Sequence, residues 1–283
     1  MNDELNSRVR ADYSQARFQA FLNRVWGGIS GQPTELLSYD DFKTKLHIGG
    51  FIYRGMWTVK VEQIVGSLNR YQAFKRAFLP TCDDTSERWQ RINRAFYEDI
   101  SLPPVVLYKV GQVYFLVDGH HRVSVARKQG QMYIDAEVRE CKSKVNITPD
   151  LKPDDLEILH DKVHFIERTG IDKLRPDADI KLTIPDGFSR MLEHIAVHRY
   201  FMGLDMQRDI SEEEAVAHWY DTVYLPIVKI IRESNILKDF PGKTEGDLYL
   251  CTLDHQHDLA EERGQTLRLP EEAARDFVEG ADV

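Results

Sequence analysis

The stretch YFLVDGHHRVSVARKQG, residues 114–130, combines residue types that suit anion binding. An apolar run ends at Asp118-Gly119, and His-His-Arg follows at the start of a helix-like pattern. The first amide groups of a helix lack intrahelical partners and lie at the positive end of its dipole, so they attract anions. A glycine just before them lets an anion approach the backbone closely. We therefore expect a phosphate site at this junction.

Each polar residue of the turn has a functional and a structural interpretation. Gly119 supplies access, while His121 and Arg122 can add charge-assisted hydrogen bonds, arginine being suited to bidentate phosphate contact. Asp118 is placed either to ligate Mg²⁺ or to cap the helix. The structural alternative for the whole turn is a capped loop whose basic residues are solvated.

The elements around the junction follow from residue spacing. Short β-rich runs flank a Gly-containing turn, which predicts a hairpin, and the helix after it should end at Gly130. Periodicity elsewhere in the first half indicates further elements. These predictions are a helix over 3–27, a loop over 31–42, a strand or hairpin over 51–65, helices over 70–78 and 86–97, strands over 105–108 and 113–117, a helix over 120–129 and a strand over 133–138.

Helical spacing dominates the second half of the chain. Helices are predicted over 156–168, 187–200, 211–234 and 245–263, with a short strand over 179–184. We expect an α+β fold with four parts. These are an N-terminal helical extension (1–45), an α+β domain (46–145), a helical domain (150–270) and a tail (271–283).

The net charge of the 283-residue chain changes sign near residue 150, where the predicted helical domain begins. Residues 1–150 carry 21 Lys and Arg against 17 Asp and Glu, a net of +4, whereas the remainder carries 16 against 29, a net of −13. A mildly basic front part suits a polyanionic ligand such as a nucleotide, and an acidic rear part disfavours a DNA duplex. The three cysteines show no zinc or disulfide spacing, and no segment predicts a signal peptide or a membrane span. We expect a cytoplasmic protein.

The order LPPVVLYKVGQVYFLVDGHHRVSVARKQG resembles the ParB/sulfiredoxin-like superfamily, in which a Pro-containing entry, two strands and a glycine-led turn precede a basic helix start. Gly119 and Arg122 match both branches, and His121 matches the sulfiredoxin histidine. The resemblance implies that these positions hold the phosphates of a nucleotide, ATP or CTP. It also implies that Arg70 and Ser67, in the segment VKVEQIVGSLNRYQ, face the nucleotide.

Departures from the family narrow the expected chemistry. His120 stands where sulfiredoxins keep their catalytic cysteine. The sulfiredoxin reaction, which needs the thiol of that cysteine, is therefore excluded at this position. The ParB Glu-Asn-Ile-Gln-Arg run and a convincing helix-turn-helix are also missing, so chromosome segregation is not expected. The long segments resemble an uncharacterised bacterial family that joins a ParB-like front to a helical rear.

A serine-phosphorylating kinase on the same scaffold is a third branch that the chain resembles. Phosphoryl transfer needs a phosphate clamp, usually a divalent metal such as Mg²⁺, and a carboxylate that takes the acceptor proton. The candidate catalytic residues are therefore Glu62, Asp118 and His120, with Asp118 also the candidate metal ligand. Glu62 could equally be an exposed strand residue.

Other patterns in the chain have structural interpretations that compete with functional ones. His194 and His198 share a helix face, which suits zinc or simple packing, and the Glu at 193 does not complete a protease motif. PGKTEG at 241–246 lacks phosphate-loop spacing, so we expect Gly242 to end one helix and Thr244 to cap the next. An aromatic stripe at 219–227 indicates core or a dimer seam.

These observations lead to one main hypothesis and two alternatives. The main hypothesis is a nucleotide-binding protein of ParB/sulfiredoxin-like type that hydrolyses nucleotides or transfers phosphoryl groups, whose rear domain closes the site or serves association, for example as a homodimer. The first alternative is a ParB-type DNA-binding or nuclease-like regulator, for which a basic set over 70–94 is the only support. The second is an interaction protein without a ligand.

Overall fold

A computed structural model describes residues 2–30, 36–68, 78, 86–149, 151, 155–263, 272, 274–275 and 277–278. The chain forms two compact units, residues 1–156 and residues 157–283. The first combines a mixed sheet with helices and the second is built from helices, so the α+β prediction is confirmed. Within the described residues, no helix is both long and apolar enough to cross a membrane.

Within the part of the front unit that the structure describes, six strands form one sheet. They are β1 (Leu37–Ser38), β2 (Phe51–Lys60), β3 (Ile64–Ser67), β4 (Val105–Val110), β5 (Val113–Asp118) and β6 (Tyr133–Cys141). Their order in the sheet is β1-β3-β5-β4-β6-β2. β4 and β5 form the predicted antiparallel hairpin, whereas β3 runs parallel to β5 and β6 runs parallel to β4.

The connection between β2 and β3 forces the sheet to curl. A 3-10 turn of three residues, Val61–Gln63, joins the two strands, yet β6, β4 and β5 lie between them in the sheet. Four strand spacings span roughly 19 Å in a flat sheet, whereas the four peptide steps from Lys60 to Ile64 reach about 14 Å at most. The prediction of one strand or hairpin over 51–65 was therefore wrong in part, because β2 pairs with β6 and not with β3.

The described residues of the front unit also form four α-helices: α1 (Asn2–Ser30), α2 (Tyr39–Lys45), α3 (Ser86–Tyr97) and α4 (His120–Lys128). Val123 and Ala126 of α4 pack with Leu107 and Leu116 in the core of the curled sheet. On another face of α4, the Trp89 indole of α3 donates to the Ser124 hydroxyl at 2.9 Å. Burial on both sides fixes α4 between the sheet and α3.

Several local predictions for the front unit are confirmed and one is wrong. α1, α3 and α4 form where helices were expected, and Gly130 follows α4 with a positive φ of 68°. The predicted loop over 31–42 instead contains β1 and the start of α2, because Ser38 accepts a hydrogen bond from the Asp41 amide and caps that helix. The helix predicted over 70–78 lies almost wholly outside the described residues.

Helices account for the regular structure described in the rear unit. They are α5 (Asp155–Thr169, which begins two residues before the boundary), α6 (Ile171–Leu174), α7 (Gly187–Met206), α8 (Glu212–Trp219), α9 (Leu225–Ser234) and α10 (Glu245–Arg263). A π-helical turn, Tyr220–Tyr224, joins α8 to α9. The helix predicted over 211–234 is therefore continuous, with Ser211 as its cap.

Two rear-unit predictions need correction. Residues 179–184 form no strand, because their polar groups bind Asp247 of α10: the Thr183 amide and hydroxyl both donate to its carboxylate at 2.8 Å. Gly242 does not end α9, which stops at Asn235 in the left-handed conformation. Thr244 caps α10 as predicted, since its hydroxyl accepts from the Asp247 amide at 3.2 Å.

Candidate functional site at the start of helix α4

The candidate site lies where two parallel strands end and α4 begins. β3 and β5 run side by side in register, with Gly66 opposite Phe115 and Ser67 opposite Leu116. β5 ends at Asp118 and α4 begins at His120, so Gly119 alone connects the strand to the helix. Carboxyl ends of parallel strands next to a helix N-terminus are a common location for ligands in α/β sheets.

Ser67 and His120 are joined at this point by a short hydrogen bond. The Ser67 Oγ and His120 Nε2 atoms are 2.6 Å apart, and both residues are buried. Both residues were predicted from the sequence, Ser67 for nucleotide binding and His120 for catalysis. A neutral imidazole that accepts from a hydroxyl raises the nucleophilicity of that oxygen, and a protonated imidazole donates to an anion. The pair could therefore take part in either binding or proton transfer.

Arg122 is occupied by contacts within the protein. One of its terminal nitrogens, Nη1, donates to the Pro103 carbonyl and, at 2.6 Å, to the Pro104 carbonyl. The other, Nη2, donates to Asp118 Oδ2 at 2.6 Å. The guanidinium is largely buried, whereas the Asp118 carboxylate is mostly exposed. Arg122 thus ties the entry of β4 to the exit of β5 and positions the turn.

Asp118 pairs with Arg122 and makes no capping hydrogen bond that the structure identifies. The N-cap residue of α4 is Gly119, which has no side chain to cap with. No cluster of three or more metal-binding side chains occurs in the described part of the chain, so a Mg²⁺ ligand set around Asp118 is not assembled there by His, Cys, Asp and Glu alone. A role of Asp118 in metal binding stays a prediction.

Gly119 is needed for the geometry of the turn. Its φ of 103° lies in the region that favours glycine, and a Cβ at this position would lie 2.6 Å from Val105 Cγ1. The same Cβ would lie 3.1 Å from the Arg122 guanidinium carbon. One side of the glycine is therefore covered by the protein. Its role in admitting an anion stays a prediction.

His121 follows on the first turn of α4 and is also buried. Its imidazole is enclosed by the fold and does not lie on an open surface. Its part in phosphate binding stays a prediction.

Glu62 lies far from the other candidate residues. It belongs to the turn before β3, is exposed, and lies 3.8 Å from the Lys60 ammonium. Arg127, near the end of α4, donates to the Val61 and Ile64 carbonyls on either side of Glu62. Seven residues of helix, roughly 10 Å, separate Arg127 from His120. The structure therefore does not bring Glu62 to the start of α4, and Arg70 lies outside the described residues.

A cavity of about 510 Å³ adjoins Arg122, and sequence reasoning did not find it. Its lining includes Asp99, Pro104, Arg122 and Asp135 together with apolar side chains of α4 and β6. The signal available in the sequence was the Pro103-Pro104 pair just before β4. The carbonyl groups of that pair are what hold Arg122 at the cavity wall.

His194 and His198, the two histidines that share a helix face in the rear unit, each form a hydrogen bond with another side chain. His194 Nδ1 lies 3.2 Å from the Tyr249 hydroxyl, and His198 Nε2 lies 2.8 Å from His218 Nδ1. Burial lowers the pKa of His194 and of His198, and for His198 the neighbouring His218 adds to the effect. These contacts correspond to the packing interpretation of the HxxxH spacing.

The chain was compared with known protein families, curated proteins and solved structures. No family model matches the chain, and a search of curated proteins finds no match. A solved structure of a Pnob8-like ParB-N domain, in its C2221 form, is similar over 82% of this chain and 99% of its own length, with 11% sequence identity and a TM-score of 0.22. Because this TM-score is low, the α+β assignment rests on the observed sheet and helices.

Proposed function

We propose that the front unit binds a phosphate-bearing nucleotide, ATP or CTP, at the start of α4. The observation that carries the proposal is the buried Ser67–His120 hydrogen bond at the joint end of β3 and β5, beside the first turn of α4. A hydroxyl, an imidazole and helix-start amides are all groups that bind phosphate oxygens. Arg122 serves this site as a positioning residue, since its donors already bind Pro103, Pro104 and Asp118.

The proposed chemistry at this site is hydrolysis or phosphoryl transfer. His120 would exchange a proton with Ser67 or with the attacking group, because its Nε2 atom is the one that faces the Ser67 hydroxyl. Mg²⁺, if required, would neutralise phosphate charge and would be held by the nucleotide together with an exposed carboxylate such as Asp118. Glu62 is not retained as the general base, because it lies at the opposite end of α4.

Thermal unfolding of the full chain with ATP, ADP, CTP and GTP, each with and without Mg²⁺, tests the binding proposal. A ligand at a hundred times its Kd stabilises the folded state by about 2.7 kcal/mol, which is a readily measured shift. We expect Ser67→Ala and His120→Gln to reduce the shift caused by the best nucleotide. Absence of a shift with every nucleotide would overturn the proposal.

Ser124→Ala is the matched control for Ser67→Ala. Both serines are fully buried in the same unit and both bond to another side chain, Ser124 to the Trp89 indole. Ser124→Ala should lower the basal melting temperature but leave the nucleotide-induced shift unchanged. If both variants reduced the shift equally, the loss would reflect a weakened fold, and Ser67 would not be part of a binding site.

The DNA-binding alternative is separated by a salt titration. A protein that contacts DNA phosphates binds duplex steeply less well as salt rises. Binding of duplex at low salt without any nucleotide-induced shift would favour that alternative over nucleotide binding.

A further inference from the structure

One face of strand β2 in the front unit carries an exposed indole. The Trp57 side chain is 37% exposed, and Ile52 on the same strand is 45% exposed. Both lie on one face of the sheet, because they pair with Ala136 and Glu140, which are four residues apart on β6. Ala136 belongs to the core of the sheet, so the Trp57 ring lies at the rim of that core.

Measured contacts join Trp57 to two cations on this face. The Lys109 ammonium lies 5.1 Å from the centre of the Trp57 ring and 2.8 Å from Glu140 Oε1. Arg54 Nε lies 2.7 Å from the other carboxylate oxygen, Glu140 Oε2. The hydrogen bonds from Lys109 and Arg54 lower the pKa of Glu140, so the carboxylate is ionised at neutral pH. Two cations therefore share one negative charge.

A basic cavity of about 570 Å³ continues this surface beyond Arg54. Its lining includes Arg54 and Glu140 together with Lys142 and Lys144, two exposed residues that follow the end of β6. Among the described residues that line the cavity, Glu140 is the one carboxylate and stands against three cations. Asn146 adds an amide group to the same wall. Such an excess of positive charge attracts a polyanion.

The acidic residues on the other face of β6 do not cancel this excess. Side chains alternate along a strand, so Asp135, Glu137 and Arg139 point away from the face that carries Glu140. Glu137 and Arg139 pair with each other at 3.0 Å, and Asp135 accepts a hydrogen bond from the Thr58 hydroxyl at 3.1 Å. The two faces of β6 therefore differ in charge.

We propose that the basic–aromatic surface, formed by Arg54, Trp57, Lys109, Lys142 and Lys144, binds single-stranded nucleic acid. A base stacks on the Trp57 ring, and the cations hold successive phosphates. An exposed aromatic ring beside a line of cations is the combination that binds single strands, because every base offers a face for stacking. A duplex keeps its bases stacked on one another and cannot use the indole in this way.

The length of the surface fits several nucleotides. Five strand residues, about 15 Å, separate Trp57 from Ile52 at the edge of the cavity. Successive phosphates follow one another every ~3.4 Å along the axis of a helical strand, so the cations can contact more than one of them. The proposal is independent of nucleotide binding at the start of α4.

Fluorescence anisotropy of a labelled thymidine oligonucleotide tests the proposal with the full chain. A length of about 20 nucleotides exceeds the ~4–16 nucleotides that a small single-strand-binding domain covers. We expect binding at low salt that is tighter than binding of a duplex of the same length. Absence of binding at low salt, or equal affinity for the duplex, would overturn the proposal.

Replacement of Trp57 tests base stacking. Trp57→Ala should weaken binding on the order of tenfold, whereas Trp57→Phe should retain most of the affinity because it keeps an aromatic ring. Tyr53→Ala is the matched control, since Tyr53 is a 60% exposed aromatic residue of β2 that pairs with Arg139 on the other face. Equal losses for Trp57→Ala and Tyr53→Ala, or for Trp57→Ala and Trp57→Phe, would refute stacking on the indole.

The salt dependence of binding tests the phosphate contacts. Each phosphate contact on a single strand contributes ~0.7 to the slope of log K against log salt, so the double change Lys142→Gln and Lys144→Gln should reduce that slope by about 1.4. Lys60→Gln is the control, because Lys60 is an exposed cation of β2 on the other face, 3.8 Å from Glu62. An unchanged slope in the double variant would contradict the assignment.

Two further measurements separate other sites and other polyanions. Ser67→Ala should retain oligonucleotide binding, and its loss in this variant would place the oligonucleotide at the start of α4 and overturn the proposal. Polyglutamate should displace the labelled oligonucleotide less well than the unlabelled oligonucleotide does. Equal displacement would show that the surface recognises negative charge alone, and it would refute single-stranded nucleic acid in favour of an acidic protein.

Discussion

Replacement of Gly119 by alanine should destabilise the front unit more than the same change at Gly130. Both glycines flank α4 and both have positive φ angles, 103° and 68°. A left-handed backbone costs a non-glycine residue about 1–2 kcal/mol, and this cost applies to both positions. At Gly130 no atom lies within 4 Å of the new Cβ, so we expect a loss of about 1 kcal/mol there.

At Gly119 a steric term is added to the backbone term. The new Cβ would lie 2.6 Å from Val105 Cγ1, a contact that the first residue of β4 must relieve by moving. Overpacking of this kind costs about 1–3 kcal/mol, so the total for Gly119→Ala should be about 2–5 kcal/mol. The difference between the two variants measures the close packing of the turn against β4.

Hydrogen exchange read by mass spectrometry under increasing urea is the suitable assay. Peptides from β4, β5 and α4 report the front unit, and peptides from α7 provide an internal reference in the rear unit. The additional change Val105→Ala should cost less in the Gly119→Ala background than in the wild type, because it removes the clashing atom. Equal losses for the two glycine variants, or strict additivity with Val105→Ala, would refute the account of the turn.

Three further predictions concern charged and titratable groups. Arg122→Ala should destabilise the front unit by about 2–3 kcal/mol, because two proline carbonyls lose their donor. Asp118→Ala should cost at most about 1 kcal/mol, since its carboxylate is exposed, and equal losses in urea unfolding would contradict the positioning role of Arg122. Burial raises the pKa of Asp247, but the hydrogen bonds it accepts outweigh burial and lower its pKa overall. Its stabilisation of the rear unit should therefore be present above about pH 4 and decline as the pH falls below that value. Asp247→Asn should abolish this acid dependence of hydrogen exchange in α10. Burial and the nearby His218 lower the pKa of His198, so protonation of His198 favours the unfolded chain, and the rear unit should lose stability as the pH falls below about 6.5. Thermal melts across this range should show a weaker dependence for His198→Gln, and the remainder should come from His194, whose pKa burial also lowers.

Elements set by neighbouring residues were predicted well from the sequence. The β4–β5 hairpin, α4 and the cap at Thr244 depend on turn, spacing and capping chemistry within a few residues of each other. The partner of β2 was not predictable in this way, because Phe51 pairs with Cys141, ninety residues later. Local patterns carry no information about such pairings.

In the candidate site too, features set by neighbouring residues were predictable and those that depend on distant residues were not. The helix start and its glycine were found from local pattern, and Ser67 was included only through the family resemblance. The role of Arg122 was assigned to phosphate, because a sequence shows the donors of an arginine but not the carbonyls of Pro103 and Pro104 that return to meet it. Glu62 is close to Ser67 in the sequence, but β3 lies between the two residues, and this separation becomes visible only in the fold.

The pairing of β2 with β6 also limits when the front unit can fold during synthesis. A strand from residues 51–60 has no described sheet partner other than β6, whose last residue is 141. The hairpin of β4 and β5 can form as soon as residue 118 has left the ribosome, whereas β2 must wait for more than twenty further residues. The nascent chain therefore carries an unpaired, largely apolar strand through most of the synthesis of this unit. Slow translation before residue 141 would prolong the exposure of β2 to aggregation and to chaperones.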